Sequence, residues 1–74
     1  MKPEIGDIVL FTGGFDLLPA VVTHVWTDEC VNLYVFQDAP YGATYDGPTT
    51  SVMFNETAPA GSYHWRWKGD HAKV

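Results

Sequence analysis

The side chains that could do chemistry are few. His24, Cys30, His64 and His71 are the only histidine and cysteine residues in a chain of 74. None stands at a C-x-x-C or H-x-x-x-H spacing, the local pairs on which zinc sites are built. The sequence therefore predicts no metal site. Ser51 and Ser62 lie in no G-x-S-x-G elbow, and there is no phosphate-cradling P-loop. Aspartates and histidines are available for acid–base work, but no motif fixes one beside another. The expectation is a protein that is not an enzyme, with no catalytic residue and no cofactor.

Binding chemistry is better represented. In the run Ser62 to Lys68, SYHWRWK, Tyr63, Trp65 and Trp67 fall on one face of an extended strand, and His64, Arg66 and Lys68 on the other. The aromatic face closes a core or anchors a partner, and both hold if one tryptophan is buried and the other lies at the rim. A second group consists of Phe15, Tyr41 and Tyr45, aromatics set among turn residues, with Asp16, Asp38 and Asp46 close by in sequence. They cap the ends of the fold or line a groove for a peptide or a modified side chain. Trp26, next to a polar turn, joins the candidates, so the partner-binding set is Phe15, Asp16, Trp26, Asp38, Tyr41, Tyr45, Asp46, His64, Trp65, Arg66 and Trp67.

The elements that must position these residues are β-strands. Pro19 to Phe36 reads as a hairpin: Ala20 to Trp26 is β-branched and aromatic, Thr27 to Cys30 suits a turn, and Val31, Leu33 and Val35 alternate with Asn32, Tyr34 and Phe36. The first arm is apolar at nearly every position, which predicts cover on both faces, as in a small closed barrel. GDIVLF (6–11), TSVMF (50–54) and SYHWRWK (62–68) supply further strands. Residues 37–49 form the one long irregular segment, NETAPAG (55–61) is a connection with room for a single 3₁₀ turn, and 69–74 a frayed tail. The fold class predicted is all-β: a small five-stranded antiparallel barrel forming one domain over 1–74, with its core at about 6–68.

The order Gly6-Asp7-Ile8-Val9, a glycine-containing loop, Ala20-Val21-Val22 and then Val31 to Phe36 resembles SH3-like barrels of the KOW and Tudor type. GDIVLF, PAVVTHVW, CVNLYVF and YHWRW together resemble a group of small proteins from tailed bacteriophages and prophages. That resemblance implies a phage setting, in the virion or the host cytoplasm, and carries over no catalytic residue.

Charge narrows the partners. From Pro3 to Trp65 there are eight acids and no lysine or arginine, and the net charge is −5. Such a body repels a phosphate backbone, so no direct nucleic-acid partner is expected. The start, MKPEIGD, has no apolar stretch of a secretory signal, and no run is long enough to span a bilayer, so neither Sec export nor a membrane partner is expected. The leading reading is a protein-interaction module that contacts a phage structural or host protein, as capsid decoration or head–tail accessory, with self-association left open. The alternatives are an acidic nucleic-acid mimic that inhibits a host defence or DNA-binding protein, and a Tudor- or KOW-like peptide reader.

Overall fold

The computed structural model describes residues 2–14, 17–37 and 47–68. Five strands, β1 (Ile8–Phe11), β2 (Leu18–Val25), β3 (Cys30–Val35), β4 (Gly47–Phe54) and β5 (His64–Arg66), close into a barrel in chain order. No helix forms among the described residues. The all-β barrel expected from the sequence is the fold, and its architecture is consistent with a small SH3-like barrel.

Strict alternation builds the inner face. Val9 and Phe11 of β1, Leu18, Ala20 and Val22 of β2, and Val31, Leu33 and Val35 of β3 meet Val52 and Trp65 in one buried cluster. No disulfide can form within a chain of one cysteine, so this cluster carries the stability; each full burial of a Val, Leu or Phe is worth about 1.5–3 kcal/mol. The outer face of β2 is not covered: Pro19, Thr23 and His24 are exposed and Val21 half-buried. The expectation of cover on both faces is thus corrected. A barrel of this size has a single interior, and apolar residues on its outer wall remain wet.

The pairs β1–β2, β2–β3, β3–β4 and β1–β5 are antiparallel, whereas β4–β5 is parallel, with Met53 opposite His64 and Phe54 opposite Trp65. Parity demands this departure from an all-antiparallel barrel. A ring of five strands cannot alternate direction all the way round, so at least one neighbouring pair must run the same way. The turn-rich connection 55–63 makes the necessary crossover. It contains Gly61 at φ +92° and Tyr63 at φ 58°, and an i→i+3 bond from Ala58 N to Asn55 O of 3.2 Å, the 3₁₀-type turn expected there.

Two irregularities flank Asn32. Register shifts occur between Val22 and His24 on one side, and opposite the stretch from Val31 to Leu33 on the other. Asn32 Oδ1 accepts Trp26 Nε1 and Ser51 N, each at 2.9 Å, and Ser51 sits at φ 56°. Extra residues in both neighbours bend and twist the sheet here, which helps so short a sheet to close. On β4 the inward positions consequently jump from Thr49 to Val52, a spacing of three.

Strand limits also differ from the sequence expectation. β1 starts at Ile8, β2 runs from Leu18 to Val25 and leaves Trp26 in the turn, β4 starts at Gly47, and β5 shrinks to His64–Arg66.

Candidate functional site

An open groove of about 610 Å³ is lined by Lys2, Asp28, Glu29, Phe54, Glu56, Trp65 and Trp67. It is a surface groove where strand ends and turns meet. Its floor and walls are rings. Trp65 stands 5.0 Å from Trp67 at 88° and 4.9 Å from Phe54 at 58°, both edge-on or tilted geometries that the ring quadrupole favours. Trp65 is only 1% exposed, so it fills the barrel interior and lies beneath the groove, while Phe54 and Trp67 are half-buried and pack against the core beside it.

The polar rim is mounted by backbone bonds. In the β2–β3 turn, Trp26 N and Thr27 N both donate to Cys30 O, at 2.9 and 3.1 Å. Thr27 Oγ1 accepts Glu29 N and Cys30 N at 3.2 and 3.0 Å, the local bonding that makes threonine a turn residue. Glu29 O then receives two donors: Trp65 Nε1 at 2.9 Å and Phe54 N at 2.8 Å. One carbonyl thereby ties the turn that carries Asp28 and Glu29 to both strands of the parallel pair. Glu56 stands on a second turn, where Asn55 Oδ1 accepts Thr57 N at 3.1 Å and Asn55 N donates to Trp65 O at 3.0 Å. Lys2 is held near by the N-terminal segment, in which Pro3 is buried, Glu4 N donates to Asp7 Oδ2 at 2.8 Å, and Gly6 N donates to Val22 O at 2.8 Å.

The lining carries three carboxylates against one ammonium, a formal excess of two negative charges over an aromatic floor. A cation set there meets ring faces and carboxylate oxygens together. The first interaction is worth about 0.5–1 kcal/mol at an exposed site and up to about 2 when desolvated; each exposed ion pair adds about 0.2–1. The arrangement suits recognition of positive charge.

The structure divides the sequence-selected residues. Trp65 and Trp67 come together at the groove, one buried and the other half-buried. Being buried, Trp65 offers a partner no free indole, so its candidacy as a surface anchor is corrected: its Nε1 is committed to Glu29 O and its ring to the core. His64 and Arg66 are half-buried and do not line the groove. Trp26 is 59% exposed, lies edge-on to His24 at 4.3 Å, and is likewise outside the groove. Phe15, Asp16, Asp38, Tyr41, Tyr45 and Asp46 lie outside the described residues. Sequence reasoning missed Asp28, Glu29, Phe54, Glu56 and Lys2 as members of one site. The usable signal was Trp65 itself: a buried indole N–H needs an acceptor, and the nearest turns supply it.

Other polar groups have structural duties. Thr12 is fully buried; its Oγ1 accepts His64 N at 2.8 Å and lies 3.0 Å from Ser62 Oγ, while Ser62 Oγ donates to Pro59 O at 2.6 Å. Ser62 is thus used to fasten the crossover. His64 Nδ1 is buried and has no hydrogen-bond partner among the described residues. Among the described residues, no three His, Cys, Asp or Glu side chains gather as a metal site requires.

No protein-family model matches the chain, and no curated protein or solved structure matches it.

Proposed function

We propose that this protein is a non-enzymatic protein-interaction module, and that its groove takes a basic segment of a partner protein. The observation that carries this reading is the pairing of an aromatic floor with Asp28, Glu29 and Glu56 in one groove. Phe54 and Trp67 give apolar contact and ring faces, and the carboxylates select charge. In the phage setting that the sequence resemblance implies, the partner is a basic patch on a virion protein. The same acidity supports a second reading: the carboxylates stand in for phosphates and block a host nucleic-acid-binding protein.

Titration calorimetry with a hexa-arginine peptide tests the common core of both readings. A saturable complex whose affinity falls about tenfold or more between roughly 50 and 200 mM salt is expected, as for contacts made mainly by exposed charge. Absence of a complex at low salt overturns the proposal. Mass spectrometry of purified particles then separates the two readings: stoichiometric presence in virions supports a structural partner, and absence there supports the inhibitor.

A further inference from the structure

Building on the reading of the groove as a site for basic segments, we infer that the side chain it accepts is arginine, in preference to lysine. The first reason is the shape of the walls. With Trp65 buried beneath, the half-buried rings of the lining are Trp67 and Phe54. A guanidinium is planar and weakly hydrated, and it stacks on an aromatic face; an ammonium is compact and strongly hydrated, and gives up more to lie there.

The second reason is the number of the acceptors and the turns that carry them. Asp28 and Glu29 project from the β2–β3 turn, and Glu56 from the turn after β4. Both turns are fastened to Trp65, one through Glu29 O and the other through Asn55 N. Carboxylates carried on two turns of one frame are best answered by a fork of five N–H donors spread in a plane, which can bond more than one carboxylate while its face remains on a ring.

The third reason is Lys2. It lines the same groove, and its segment is anchored by buried Pro3 and the Gly6 N to Val22 O bond. A tethered ammonium competes at an effective concentration on the order of millimolar. A lysine ligand offers the carboxylates only what Lys2 offers already. Arginine adds stacking, which Lys2 cannot match.

The experiment titrates the full-length protein, observed by NMR, with three capped pentapeptides, Gly-Ser-X-Ser-Gly, where X is arginine, lysine or citrulline. Citrulline keeps the planar shape and lacks the charge. The expected order is arginine tightest, lysine weaker by about twofold to fivefold, and citrulline weakest, the first difference being the size of an exposed cation–π contact. Trp67→Leu should bring arginine and lysine to equal affinity, and Lys2→Gln should improve lysine more than arginine. Equal binding of arginine and lysine to the unaltered protein overturns the arginine preference and leaves the basic-partner reading standing. Failure of both cationic peptides to bind at millimolar concentration, with hexa-arginine also inert, overturns the basic-partner reading itself. Binding of citrulline as tight as arginine shows a charge-blind groove and overturns the inference.

Discussion

Replacing Asn32 by alanine tests how the barrel is bent shut. Asn32 Oδ1 is the shared acceptor for Trp26 Nε1 and Ser51 N, both at 2.9 Å, and it sits between the register shifts on either side of β3. Alanine removes both bonds. Their surroundings are exposed, so water takes up the freed donors and only the net value is lost, about 0.5–1.5 kcal/mol each. The sum is about 2 kcal/mol. A domain of 74 residues has a total stability of about 4–11 kcal/mol, so this is a large share. With a urea slope of about 1 kcal/mol per molar, the midpoint should fall by about 2 M. Asn32→Asp keeps an acceptor oxygen in place and should lose less than half as much. Urea denaturation followed by far-ultraviolet circular dichroism provides the readout. A midpoint shift below about 0.5 M for alanine, or equal losses for alanine and aspartate, refutes the claim that this acceptor holds the bend.

Ser51→Gly removes the cost of a side chain at φ 56° and should leave stability unchanged or raise it by about 0.5–1 kcal/mol, against the usual penalty for glycine in a strand; thermal melting checks the sign. Gly13→Ala drives a Cβ into the Phe11 ring at Cζ, and Phe11 is fully buried, so the variant should lose about 1–3 kcal/mol by the same assay. Trp65→Phe removes the donor to Glu29 O and part of the core volume; it should cost about 2–3 kcal/mol in urea and also weaken hexa-arginine binding, because the Asp28–Glu29 turn loses its tie. Glu56→Gln deletes one of three groove carboxylates and should lower hexa-arginine affinity about twofold to fivefold in calorimetry, the worth of one exposed ion pair, with stability unchanged.

Alternation made β1 and β3 legible, since Val9 and Phe11, and then Val31, Leu33 and Val35, face inward as their spacing requires. Pro19 and Val21 were harder to place. They are apolar but point to the outer wall, and hydrophobicity alone does not say which side of a strand is wet. The start of β4 was hidden by Ser51, because a left-handed residue shifts the inward positions by one and no glycine marks the spot. The direction of β5 depends on Gly61 and Tyr63, whose positive φ angles turn the chain before it pairs with β4; nothing in SYHWRWK encodes it. The groove was half visible. Trp65 and Trp67 stood out as large aromatics, whereas Asp28, Glu29 and Glu56 read as ordinary solvated turn residues. What unites them is one carbonyl, Glu29 O, shared by Trp65 Nε1 and Phe54 N, a contact across 36 positions that no local pattern reveals.

The three tryptophans are three separate reporters of where positive charge goes. Their indole N–H signals, assigned with Trp26→Phe and Trp67→Phe, can be followed in a proton–nitrogen correlation spectrum as hexa-arginine is added. Trp67 lines the groove, Trp65 lies beneath it bonded to Glu29 O, and Trp26 is bonded to Asn32 outside it. A saturating shift of Trp67, a smaller one of Trp65 and an unmoved Trp26 are the predicted result. Movement of Trp26 with Trp67 at rest would contradict the account, since the charge would then be recognised somewhere other than the acidic aromatic groove.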